Sequence, residues 1–171
     1  VRTALKARDA GVDAIVAEGS ESGGKVALDE VPTISLLPLV VEQVDIPVIA
    51  AGGFATGRGL LAALAMGAEG VQMGTRFLAS EESRAHPNWK QVLVDAGDSA
   101  TGIALRNSSP TRMVRNQFFA EMDALDEPGK KAMDFMPIMG EGSSRIPDDL
   151  DGSQGNYTAG TGCGLIREVK P

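Results

Sequence analysis

Two short glycine turns, Ala51-Gly52-Gly53 and Gly74-Thr75, each follow a short apolar run, and one helical stretch separates them. Residues of this type at this spacing suit one kind of chemistry, the holding of an anion by main-chain N–H groups. Where a buried strand turns into a helix, backbone amides are unpaired and the helix adds the positive end of its dipole. Glycine lets those amides approach a phosphate closely and take angles denied to residues with a Cβ. In eight-stranded α/β barrels, loops after consecutive strands commonly share one phosphate. The two turns therefore read as the two sides of one cradle.

Composition narrows the alternatives. The chain has 171 residues, with 16 Lys and Arg against 23 Asp and Glu, for a formal charge of -7. Such a balance argues against a broad footprint for nucleic acid or an anionic membrane, so phosphate recognition has to be local. One cysteine, Cys163, makes no internal disulfide, and with one histidine, His86, it cannot furnish the usual four-ligand zinc site. No apolar stretch approaches the ~20 residues that span a bilayer. A cytoplasmic protein of one domain is the expectation, with no metal.

The elements that must position the turns follow from pattern. Asp13–Ala17, Pro47–Ala51 and Gly70–Met73 are short apolar runs bounded by glycine, which suits strands of a parallel sheet buried on both faces. Helices are expected over Arg2–Ala10, from about Pro38 to Val44, and after an N-cap at Thr56, where Leu60, Leu61 and Leu64 share a face. The repeating order of helix, strand and glycine loop is that of α/β crossover units. Beyond about Ser83 the pattern changes. Helices are expected over His86–Ala96 and Met113–Leu125, an extended or irregular stretch between them, and from Glu127 to Gly162 a Gly- and Pro-rich segment forming a mostly helical cap. The last stretch, AGTGCGLIREVKP, reads as a glycine turn leading into a final helix.

The stretches DAIVAEGSESGGK, PVIAAGGFATGRGLLAALAMGAEGVQMGTRFLASEES and HPNWK closely resemble the flavin-dependent nitronate monooxygenases, formerly called 2-nitropropane dioxygenases. That family also includes flavin-dependent enoyl-acyl-carrier-protein reductases. The resemblance is strong from about Gly11 to Lys90 and weaker at RMVRNQF and AGTGCGLIREV. It implies an FMN-binding TIM (β/α)8 barrel whose sixth, seventh and eighth strands are present here, so that 1–83 are barrel units and 84–171 the cap and a last barrel segment. A whole barrel runs to about 250 residues, and three strands cannot close one. The chain, which opens on Val1, thus reads as a piece of a longer one or as the partner of another chain.

By the same resemblance, Gly52, Gly53, Gln72, Met73, Gly74 and Thr75 would hold the FMN phosphate, chiefly through N–H groups and with the Thr75 hydroxyl as an added donor. Gly23 and Gly24 would let the earlier loop pass close to the flavin. The family pattern AGGH, whose His is the usual catalytic acid or base, reads SGGK here. Lys25 is then the catalytic candidate, a cation that polarises a carbonyl more readily than it deprotonates a nitroalkane. Glu18 and Glu21 flank this loop, with Glu21 expected to be exposed; His86 and Cys163 read as structural. Three functions follow as expectations: oxidation of alkyl nitronates or a related small substrate; NAD(P)H-linked reduction of enoyl or oxo thioesters; or a non-catalytic half-barrel. The resemblance also leaves room for a homodimer.

Overall fold

A computed structural model describes residues 1–171. In chain order the first part runs α1 (Arg2–Asp9), β1 (Ile15–Glu18), β2 (Gly24–Lys25), α2 (Thr33–Val41), β3 (Val48–Ala51), α3 (Gly57–Ala65), β4 (Gly70–Gln72) and α4 (Thr75–Leu78). The second part runs α5 (Pro87–Val94), β5 (Thr101–Ala104), β6 (Thr111–Val114), α6 (Gln117–Leu125), α7 (Ala132–Arg145) and a 3-10 turn at Thr161–Leu165. No helix is long and apolar enough to cross a membrane.

The three apolar runs form a parallel sheet of order β1-β3-β4. Its register sets Glu18 opposite Ala51 and Ala51 opposite Gln72, so the carboxyl ends of all three strands lie on one rim. That alignment carries the glycine loops to the same end of the sheet. One face of the sheet is covered: Ile15, Ala17, Val48 and Ala50 pack against Ala4 of α1, Leu37 and Val40 of α2, and Ala63 of α3. Small residues in the strands let the helices sit close.

The expectation of strands buried on both faces fails at β1, where buried Ile15 and Ala17 alternate with exposed residues and Val16 is 49% exposed. Helices cover only one side of the sheet, so the alternation of side chains along the strand shows through. Similarly, α3 turns Ala63 inward and leaves Leu61 68% exposed, so its leucines do not make the core face.

Four further expectations are corrected. The second helix begins at Thr33, not near Pro38, which lies inside it. Its start is fixed from a distance, because the Glu21 carboxylate accepts the Thr33 N–H at 2.9 Å, a cap that no local pattern reveals. Met113 is not helical. It belongs to β6, which forms an antiparallel hairpin with β5, and the helix starts only after Asn116, whose side chain accepts the Phe119 N–H at 2.9 Å. The cap is therefore not simply helical, and since β2 pairs with β6, this second sheet crosses the division at residue 83. Finally, the last segment forms a 3-10 turn followed by extended chain rather than a helix.

Candidate functional site

The two glycine turns converge. Gly52 and Gly53 after β3, Gln72 at the end of β4, and Met73, Gly74 and Thr75 beyond it line a single cavity of about 230 Å³, together with Gly23 from the loop after β1. Only 4 of its 15 lining residues are hydrophobic, so it suits a polar or charged group. The helix α3 begins beyond the first turn and its start is already capped, the Thr56 side chain accepting the Gly59 N–H at 3.2 Å. The amides free for an anion on that side thus belong to the turn itself. On the other side, α4 starts directly after Gly74, with Thr75 as its first residue.

A third wall comes from the far end of the chain. Thr158, Gly160 and Gly162 line the same cavity. The Gly160 N–H donates to Thr75 Oγ1 at 2.9 Å, which leaves the Thr75 proton available to a ligand oxygen. The Thr161 N–H donates to the Glu21 carbonyl at 2.9 Å. Gly23 and Gly160 meet so closely that a Cβ on Gly23 would lie 2.6 Å from the Gly160 nitrogen. This wall was missed as a site in the sequence, although the glycine repetition in AGTGCG is the same signal that marked the other two turns.

Glu21 ties the loop after β1 to two of these walls. Its carboxylate accepts the Thr33 N–H and also the Thr33 hydroxyl at 2.9 Å, while Thr33 Oγ1 lies 3.1 Å from the carbonyls of both Ala51 and Gly52. Far from being exposed, as its type suggested, Glu21 thus joins the loop after β1 to the turn after β3, and through its carbonyl to the last segment. Thr33 is buried, so its amide has no water to turn to. Glu21→Ala is expected to lower stability by about 2 kcal/mol, the loss of a cap plus an orphaned amide, which corresponds to about 4–8 °C in a thermal melt. Glu21→Gln, which keeps an acceptor, should lose about half as much. A melt of Glu21→Ala that matches the parent would remove this residue from the frame of the site.

Lys25 and Gly24 are not brought to the cavity. Gly24 has φ +81°, which bends the chain after Gly23 into β2, and β2 joins the second sheet with Lys25 opposite Thr111. Lys25 is exposed there. Its assignment as the catalytic cation has no support from the cavity geometry. A cation that the sequence did not single out holds the loop after β1: Arg112, whose Nε donates to the Ser20 carbonyl at 2.9 Å and whose Nη1 reaches Thr101 Oγ1 at 3.3 Å. Burial pushes its pKa down, and the nearby Glu21 carboxylate opposes that shift.

His86, Arg76 and Cys163 are structural, whereas Glu18 lines the cavity. His86 caps α5, its Nδ1 accepting the Asn88 N–H at 3.3 Å. Arg76 donates to the Glu168 carbonyl at 3.0 Å and so fastens α4 to the chain's end. Cys163 is buried, and burial raises its pKa, which keeps the thiol protonated and a poor nucleophile.

A family model described as nitronate monooxygenase matches residues 1–171. Similar curated proteins include a probable nitronate monooxygenase of Staphylococcus aureus (strain Newman), 45% identical over 131 residues, which cover 71% of this chain and 37% of that protein. Another, from Staphylococcus saprophyticus, is 39% identical over 137 residues, 74% of this chain and 39% of the relative. Among solved structures, FabK from Thermotoga maritima is 40% identical and superposes with a TM-score of 0.88 over 99% of this chain and 54% of its own. Nitroalkane oxidase from Streptomyces ansochromogenes is 31% identical, with a TM-score of 0.83 over 99% of this chain and 51% of its own. The chain spans well under half the length of those curated relatives and about half of those solved chains.

Proposed function

The chain belongs to the nitronate monooxygenase family, and on that premise we propose that it forms the cofactor-phosphate end of an FMN-dependent oxidoreductase acting on alkyl nitronates or a related small substrate. The observation that carries this reading is the meeting of three strand-end loops on one polar cavity. The cavity fits part of the cofactor. At about 230 Å³ it is smaller than the ~300–1,000 Å³ of pockets that enclose a drug-sized ligand, so it suits the phosphate and ribityl chain and not the ring system. The amides of Gly53 and Thr75 and the Thr75 hydroxyl would receive the phosphate, while Gly23 lets the loop after β1 close over the polyol. When bound, the flavin supplies redox chemistry at its ring; the residues of this chain bind and orient it and shield its phosphate from water.

We further propose that residues 1–83 are the sixth to eighth βα units of a TIM barrel, closed by strands from outside this chain, and that 84–171 form its cap and last segment. Support comes from the exposed face of β1 and from an apolar groove beside that strand, lined by 12 hydrophobic residues out of 16, including Ala4, Val12, Val16 and Leu36. A parallel sheet is ordinarily covered on both faces, and a preceding strand and helix would cover this one.

A second reading is NAD(P)H-linked reduction of enoyl or oxo thioesters. It is favoured by the SGGK stretch, which lacks the histidine that the family pattern uses as acid or base. The decisive experiment is spectroscopic. The purified full-length protein should carry a visible flavin band. Oxygen uptake with an alkyl nitronate and no pyridine nucleotide supports the first reading, whereas anaerobic bleaching of the band by NADPH supports the second. A colourless, folded protein that takes up no added FMN would sink both and leave the non-catalytic half-barrel.

A further inference from the structure

Ser22 is the one residue lining the cavity whose side-chain polar atom is buried without a partner. The residue is 7% exposed, and its Oγ makes no hydrogen bond. The two other orphaned atoms, Trp89 Nε1 and Asn156 Oδ1, belong to residues outside the cavity wall. A buried hydroxyl in this state has given up its hydrogen bonds to water and gained none in exchange, and such groups are rare enough in folded proteins that each calls for a reason.

Several groups beside it are already engaged. The Glu21 carboxylate is taken by Thr33, Thr75 Oγ1 by the Gly160 amide, and the Ser22 amide donates to the Gly19 carbonyl at 3.2 Å. Of the loop after β1, Ser22 is the residue that brings a side-chain polar atom to this wall. Its position is also where the family pattern AGGH gives way to SGGK, so a serine stands at the place of the pattern's alanine, and the pattern itself supplies no hydroxyl there.

We infer that Ser22 is a ligand-binding residue whose Oγ–H donates to an oxygen of the ribityl phosphate chain of FMN. The inference rests on the flavin reading above. The volume and polarity of the cavity favour the polyol phosphate over the ring or a substrate as the group at this wall. The hydroxyl gains its partner only when the ligand arrives, which gives the residue an unusual signature. Removing it harms binding and does not harm the empty protein.

The test is to titrate FMN and riboflavin into the flavin-free full-length protein and into Ser22→Ala, and to melt both without flavin. Ser22→Ala is expected to weaken FMN about five- to tenfold while the flavin-free melting temperature holds or rises. Equal weakening of riboflavin assigns the bond to the ribityl chain, and weakening of FMN alone assigns it to the phosphate; both uphold the inference. Ser22→Cys, which keeps the volume and offers a weaker donor, should fall between parent and alanine variant. The inference is overturned if parent and Ser22→Ala bind FMN within about twofold of each other. It is equally overturned if affinity and flavin-free stability fall together, which marks a structural serine. A parent that binds no FMN instead defeats the flavin reading itself, and this inference with it.

Discussion

Gly74→Val is expected to abolish flavin retention while leaving the empty protein as stable as its parent. A Cβ added at Gly74 meets no protein atom within 4 Å. The backbone there has φ -92° and ψ -63°, an ordinary helical conformation open to any residue. Nothing in the protein itself therefore demands glycine at this position. Yet Gly74 lines the cavity and immediately precedes the first residue of α4, so a side chain here takes up the space in which a phosphate has to approach the amides. Valine should weaken FMN at least about a hundredfold, or about 2.7 kcal/mol, with alanine between. The flavin-free melt should shift by no more than about 2 °C. Titration beside a melt of the same preparation checks both halves. Tight FMN binding by Gly74→Val would mean that the ligand lies elsewhere.

The contrast with Lys25 shows what a linear pattern can and cannot carry. Strand ends and glycine turns were legible because each is a local device: an apolar run, a glycine, a helix cap such as Thr56. Their convergence follows from the parallel register, which sets Glu18, Ala51 and Gln72 on one rim. Whatever depends on pairing at long range was not legible. Lys25 stands two residues beyond Gly23 and reads as part of the same loop. It is carried off by its pairing with Thr111, a partner in the second sheet. Glu21 is an acidic residue in a polar loop, and only the position of Thr33 turns it into a helix cap. The alternation along β1 was likewise hidden, because an apolar run reads the same whether both faces are covered or one. The pairing of β5 with β6 escaped for a related reason. Its two runs are joined by a polar stretch without a two-residue glycine turn to announce it.

These particulars bear on which residues specify the site and which merely build it. Glycine is needed at the two turns for different reasons, and the difference is measurable. At Gly74 the claim on space comes from the ligand. At Gly52 it comes from the protein, since φ is +97° and a Cβ would lie 2.9 Å from both the Gly19 carbonyl oxygen and Thr33 Oγ1. One variant should therefore separate binding from stability, while the other should lose both.

Gly52→Ala is expected to be strongly destabilising, at about 3–5 kcal/mol. A side chain held at strongly positive φ costs about 1–3 kcal/mol. The contact with the Gly19 carbonyl cannot be relieved by a rotamer change, because that atom is backbone, and the Gly19 amide is itself held by the Ala51 carbonyl at 3.0 Å. Moving Thr33 out of the way instead breaks its links to Glu21, Ala51 and Gly52 and uncaps α2, which adds about 1–2 kcal/mol. The melting temperature should fall by about 10 °C or more, and flavin affinity should fall with it, since Gly52 and Gly53 form one side of the cradle. Gly57→Ala is the matched control. A Cβ on Gly57 meets nothing within 4 Å, and the residue opens α3, so alanine there should be neutral or stabilising by up to about 1 kcal/mol. Equal melts for the two variants would show that the turn after β3 is free to relax. The rigid cradle argued from Glu21, Thr33 and Gly52 would then not exist.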